Sequence, residues 1–190
     1  MQLTGRADYS VRPATPPDAP EIARVQRVTW RTAYRDLLPA VVLDEWDDAA
    51  VTARWADSVQ NPPTPSHGVL VATENGVVVG YLVHGPAELP PGETPSADGP
   101  TSEVHALLVE PRWGRRGHGS RLLAAAVDVL VPTGVRRLQT WVPDADHVTA
   151  GFLESAGWAA DGWTRSLDAG ATTIHEQRWH ALLVDDEGLA

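Results

Sequence analysis

Residues 115–123, RRGHGSRLL, crowd arginine and glycine into one bend directly before an apolar helical pattern. Glycine lets a backbone adopt positive φ and approach a ligand closely, while the first turn of a helix leaves N–H groups unpaired at the positive end of its dipole. Those are the parts of an anion site. Arg115, Arg116 and Arg121 add full positive charges suited to a pyrophosphate or a ribose phosphate. The glycine spacing, G-x-x-G-x-G from Gly114, departs from the dinucleotide fingerprint G-x-G-x-x-G, so a nicotinamide cofactor is not expected. The plain alternative is a tight strand-to-helix turn with a polar surface. A second cluster, His175-Glu176 with His180, has the spacing HExxxH on an expected strand. Residues five apart on a strand face opposite sides, so no metal site is expected there.

Composition narrows the chemistry further. All fifteen basic side chains are arginine. Without lysine there is neither a Schiff base nor a P-loop lysine. Cysteine is absent too, which removes thiol nucleophiles, disulfides and CxxC metal sites, and fits a reducing cytoplasm. The net charge of −10 argues against general binding to nucleic acid or an anionic membrane and leaves room for cationic substrates. No apolar run reaches the roughly 18 residues of a membrane span, and the first residues lack a signal-peptide stretch, so a soluble, cytoplasmic protein is expected. A length of 190 residues suits a single domain with its own core.

The framework around the bend can be read from periodicity. Tyr9 to Arg12 reads as a strand, and Asp18 with Glu21 as a capping box opening a helix that runs to about Tyr34. Leu43, Trp46, Ala50, Val51, Trp55 and Val59 repeat as one second helix, ended by NPPTPS. GVLVATE and VVVGYLVH flank Asn75-Gly76 as a hairpin. Residues 85–101, rich in Pro, Gly, Glu, Ser and Thr, read as a long flexible loop. EVHALLV is then a strand covered on both faces, followed by the bend and by a helix holding Leu122, Leu123, Ala126, Val127 and Leu130. RRLQTWV is a further strand, and a short helix from about Asp146 ends at Gly157. A last hairpin turns at residues 168–171, and residues 185–190 form a charged tail. This order argues for one α+β or α/β sheet with helices on both faces.

"EVHALLVEPRWGRRGHGSRLL" resembles the central strand, pyrophosphate loop and helix of the GCN5-related N-acetyltransferases, the GNAT superfamily, whose loop reads (Q/R)-x-x-G-x-(G/A). "VRPATPPDAPEIARVQRVTWRTAY" is similar to the first strand and helix of bacterial members, and "AGFLESAGW" to their A-x-x-F-Y-E-x-x-G-F helix. The resemblance, over about residues 9–184, implies an α/β (α+β) fold with a mixed, mostly antiparallel seven-stranded sheet. It also implies transfer of an acetyl group from acetyl-CoA to a primary amine, on a small molecule or a peptide. By position, the amides of Arg115, Arg116, Gly117, His118, Gly119 and Ser120, with Arg121, would hold the pyrophosphate of coenzyme A. The main chain of Leu107, Leu108 and Val109 would pair with the pantetheine arm, as an open strand edge can.

The same resemblance places a catalytic glutamate at Glu103, with His105 two residues on along the strand and expected on the same side. Either can take the amine's proton, Glu103 if burial raises its pKa. Trp30, Tyr34 and Trp46 would border the acceptor cleft, although each suits a helix-to-sheet core equally well. Two departures stand out: Gly114 occupies the usual Gln/Arg position, and Leu153 the place of the tyrosine that protonates the thiolate. Tyr34 and Ser155 are the remaining hydroxyls for that role. With no cysteine, direct attack by the amine is expected. The alternatives are a non-catalytic acyl-CoA sensor, or an interaction module built on the 85–101 loop. Dimers are common among such proteins, and no motif here decides between a monomer and a homodimer.

Overall fold

The computed structural model describes residues 8–35, 40–97, 99–168 and 173–183. The strands are β1 (Tyr9–Pro13), β2 (Gly68–Glu74), β3 (Val77–Pro86), β4 (Thr101–Val109), β5 (Arg137–Pro143), β6 (Ala159–Asp168) and β7 (Thr173–Leu182). The helices are α1 (Ala19–Thr32), α2 (Ala40–Asp44), α3 (Asp48–Gln60), α4 (His118–Leu130) and α5 (His147–Ser155). One seven-stranded sheet runs β1-β2-β3-β4-β5-β7-β6, antiparallel throughout except for the β4–β5 pair. This is the expected mixed sheet with one more helix.

The extra helix arises from a local polar contact. The expected single helix over residues 43–59 is broken at Trp46. The Asp47 carboxylate accepts from the amides of Ala49 and Ala50 and starts α3 anew. The expected Asp18–Glu21 capping box is also replaced. Asp18 accepts from the Thr15 amide at 2.8 Å and from Arg12, while Glu21 pairs with Arg24. Arg12 is the stronger attraction because it brings a full charge to a nearly buried carboxylate.

Side chains alternate between two apolar layers. Leu70, Ala72, Leu82, Val104, Leu138 and Val142 pack with Leu122, Leu123 and Ala126 of α4 and Leu153 of α5. Val71, Val78, Tyr81 and Leu108 pack with Ile22 and Val25 of α1, joined by Trp55 of α3. At the β2–β3 turn, Asn75 and Gly76 take φ of 50° and 79°, the left-handed pair that a two-residue hairpin requires.

Two irregularities of β4 shape the candidate site. Val83 lies opposite Ala106 but His84 opposite Val104, so His105 is an extra residue, a bulge. The bulge resets the alternation: Val104, Leu107 and Val109 face α4, while Ala106 and Leu108 face α1. The second irregularity is on the other edge. β4 pairs with β5 only through Thr101, Ser102 and Glu103. The Thr140 hydroxyl donates to the Val104 carbonyl at 2.8 Å, and the strands then part.

After β3, the described residues 87–97 are fastened to the sheet by Glu93, whose carboxylate grips Arg178 of β7 at 2.6 Å through both oxygens. The tail at 185–190 and most of the last hairpin turn lie outside the described residues.

Candidate active site

β4 leads into the glycine corner through Glu110, whose amide bonds the Val79 carbonyl, and through one 3₁₀ turn at Pro111–Trp113. Arg115 and Gly117 take φ of 59° and 80°, and α4 starts at His118. The first helix-type bond of α4 runs from the Arg121 amide to the Gly117 carbonyl. Among the described residues, the amides of Arg115, Arg116, Gly117, His118, Gly119 and Ser120 therefore have no protein acceptor. The corner is a cradle of donors at the positive end of a helix. A Cβ on Gly119 would stand 3.1 Å from the Phe152 ring, so glycine lets α4 close against α5 at its first turn.

The arginines divide more sharply than their spacing suggests. Arg112 and Arg24 converge on the buried Glu110, with Arg24 at 2.5 Å. Arg116 bends back to Glu74 at 3.0 Å and lies over the Trp113 ring. Arg121 donates to the Arg116 carbonyl and covers the Tyr9 ring. Arg115 alone has no side-chain partner among the described residues. His118 is expected among the ligand-binding residues, but its ring is buried, with Nε2 2.9 Å from Glu74 Oε2. Only its amide is presented to the cradle. At the departure from the family motif, a Cβ on Gly114 would stand 3.1 Å from the Pro111 carbonyl. Glycine suits the tight turn that replaces a longer side chain there.

On the strand before the corner, Leu107, Leu108 and Val109 are paired with β3 on one edge and open on the other. Glu103 and His105 share a face, as their spacing predicts: His105 Nδ1 lies 3.2 Å from Glu103 Oε1. Glu103 is buried, and its other oxygen accepts from Gln139 Nε2 at 2.9 Å. Its expected upward pKa shift is overturned. Burial does push the carboxyl up, but hydrogen bonds from His105 and Gln139, with the charges of His105 and Arg165, pull it below its ordinary value. His105 is instead the open member of the pair, its side chain 39% exposed. The His67 ring lies parallel to it, with centroids 6.5 Å apart. A Cβ on Gly85 would stand 2.6 Å from His67 and 2.9 Å from His105, so both rings depend on that glycine.

The expected cleft residues are placed unevenly. Trp30 and Tyr34 pack beside Ala106, Leu108 and Tyr81, on the face that carries Glu103. Burial and the nearby Asp146 push the Tyr34 phenol up to about 12, so it stays protonated at neutral pH. Trp46 sits at the break between α2 and α3, edge-on to Trp30 at 5.6 Å and bonded to Asp48. Leu153 is buried in the α4–α5 layer, and the Ser155 hydroxyl donates to the Phe152 carbonyl. The HExxxH residues diverge: Glu176 accepts from Arg165, while His175 pairs with Ser166. Among the described residues, no group of three His, Cys, Asp or Glu could hold a metal.

A set of residues on the Glu103 face was not anticipated. Trp141 follows Gln139 on β5 and lies under Arg165, whose guanidinium is 4.4 Å from the ring centroid. Arg178 lies beside Trp141 and Trp163, bound to Glu93 and Asp161. The signal was available only for β5: Leu138 and Val142 mark one face, which turns Gln139 and Trp141 to the other. Asp161 and Trp163 arrive through an irregularity in β6 between Ala160 and Thr164, which no pattern announces.

The overall fold recurs in known proteins. The model of the Acetyltransferase (GNAT) family matches residues 26–158. The chain is 29% identical over 134 residues, 70% of each chain, to the Bacillus subtilis (strain 168) protein called Uncharacterized N-acetyltransferase YuaI. Its fold is similar to an N-acetyltransferase of Staphylococcus aureus Mu50, with TM-score 0.68 and 16% identity over 93% of this chain and 99% of that one. It is also similar to yncA of Salmonella typhimurium, solved with its cofactor acetyl-CoA, with TM-score 0.65 and 20% identity over 96% of each chain. The match to the family spans well over half of the sequence, so the chain belongs to the acetyltransferase (GNAT) family and is an enzyme of that kind.

Proposed function

We propose that the protein moves an acetyl group from acetyl-CoA to a primary amine by direct attack. One coincidence carries the reading: a run of unpaired amides at the head of α4 lies just beyond a strand whose next edge is open. A diphosphate fits the first part, and the amide-rich pantetheine arm fits the second at Leu107, Leu108 and Val109. Arg115 supplies the free positive charge at the corner. Glu74 supports it from behind by holding Arg116 and His118.

An ammonium has no lone pair, so a proton must leave before the nitrogen can attack. His105 takes that proton, being the exposed partner of the pair. Glu103, fixed by Gln139, orients the imidazole and stabilises its charged form. The nitrogen then bonds the carbonyl carbon while the carbon–sulfur bond breaks; the electron pair leaves on sulfur, and the second proton lost by the nitrogen passes through water to the thiolate, giving amide and free thiol. Trp30, Tyr34 and Trp46 form the acceptor side of the cleft.

Calorimetry with acetyl-CoA tests the donor half: one equivalent bound per chain is expected, and no uptake overturns the reading. Thiol release from acetyl-CoA in the presence of an amine panel tests the transfer. Leucine in the core at position 153 favours one other outcome, a non-catalytic acyl-CoA sensor. Its signature is tight binding without amine-dependent thiol release.

A further inference from the structure

We propose that Arg165 forms an anion subsite of the acceptor cleft, so that the amine acceptor carries a carboxylate near its amine. The inference rests on the acetyl-transfer reading and goes beyond it by naming the acceptor's chemical class. Arg165 and Arg178 both lie against Trp141, but they are used differently. Arg178 is buried and spends all three of its nitrogens, two on Glu93 and one on Asp161. Arg165 spends one: its Nε donates to Glu176 at 2.6 Å. Among the described residues its two terminal nitrogens have no partner, and the side chain is 39% exposed.

The guanidinium is nonetheless held in place. Glu176 fixes one edge, and the Trp141 ring supports its face at 4.4 Å. Glu176 offsets part of the charge but, bonded through Nε, leaves the fork of two terminal nitrogens to other acceptors. That fork is the geometry a carboxylate accepts through two parallel hydrogen bonds. Holding the fork in advance lowers the ordering cost of binding.

Its position links it to the reaction. Trp141 is two residues beyond Gln139, which holds Glu103, and Arg165 lies near enough for its charge to act on Glu103. An acceptor with its amine at His105 can therefore set an acid group against Arg165. In a chain of net charge −10, a guanidinium with free donors on this face is a selective feature rather than a general attraction for anions.

The experiment compares matched acceptors that differ only in charge: glycine, β-alanine and 4-aminobutanoate, each against its carboxamide, with saturating acetyl-CoA. The expected result is a preference in kcat/KM for at least one free acid on the order of 10- to 100-fold, lost in Arg165→Gln with KM for acetyl-CoA unchanged. Arg165→Lys, which keeps the charge but not the fork, serves if the glutamine variant does not fold, and should retain part of the preference. Binding is read separately by calorimetry, titrating each N-acetyl acid and its N-acetyl amide into CoA-loaded protein. Equal treatment of acid and amide by the wild type in both assays overturns the subsite, as does a preference that survives both substitutions. Failure to take up acetyl-CoA at all shows instead in calorimetry without acceptor, and counts against the acetyl-transfer reading.

Discussion

At the level of single residues, the proposed mechanism makes His105 the proton acceptor, rather than the glutamate to which the family resemblance points. A carboxylate drawn below its ordinary pKa by Gln139, His105 and Arg165 is a poor proton acceptor near neutrality. An exposed imidazole whose Nδ1 faces that carboxylate is well placed to take the proton at Nε2. His105→Gln is expected to lower kcat by roughly 100-fold or more, within the range of general-base contributions. Glu103→Gln keeps a hydrogen-bonding group but removes the charge that favours the imidazolium. It is expected to cost about 10-fold in kcat. The reverse ranking, with Glu103→Gln the more damaging, would make Glu103 the direct base. The interactions that depress Glu103 also stabilise the fold above the ordinary carboxylate range, and that contribution is lost as pH falls through its depressed value.

Among the helices and strands, the boundary between α2 and α3 shows how a local polar group overrides apolar periodicity. The repeat runs unbroken through Trp46, yet Asp47 captures two amides and begins a separate helix. Asp47→Ala is expected to destabilise the protein by about 1 kcal/mol, read as a lower urea midpoint with an unchanged slope. A change within about 0.2 kcal/mol would mean that α3 is set by its packing alone. Most elements were legible in the sequence because their signals are local: Asn75-Gly76 for the hairpin, Gly117 at the head of α4, alternation along β5. The bulge at His105 was not. Strict alternation along EVHALLV puts Leu107 and Val109 beside Glu103, whereas the extra residue brings Ala106 and Leu108 to that face. The open edge of β4 was anticipated only through family resemblance. The cluster of Trp141, Arg165 and Arg178 was missed because β5, β6 and β7 meet only in the folded sheet.

Across the protein as a unit, the buried charges act as fasteners between segments distant in sequence. Arg178 on β7 joins Glu93 from the loop before β4 to Asp161 from the irregular part of β6, and Asp161 also binds Arg137 of β5. The loop and three strands are thereby fixed around one guanidinium with a side-chain exposure of 1%. Removing one partner of such a pair leaves a charge buried and short of acceptors, which costs more than the pair contributes when intact. Glu93→Gln is therefore expected to destabilise the protein by roughly 3 kcal/mol, far above the roughly 0–1 kcal/mol of an exposed pair. Glu93→Leu combined with Arg178→Met removes both charges, and should recover most of that loss. Urea unfolding of both variants beside the wild type measures the effect, and a single variant at least as stable as the double would show that Arg178 finds water or another acceptor. Because the loop lies against the residues that surround Trp141, the single variant should also raise KM for the amine while KM for acetyl-CoA stays constant. In the proposed reading the donor binds at the opposite end of β4, against amides that Glu93 does not touch.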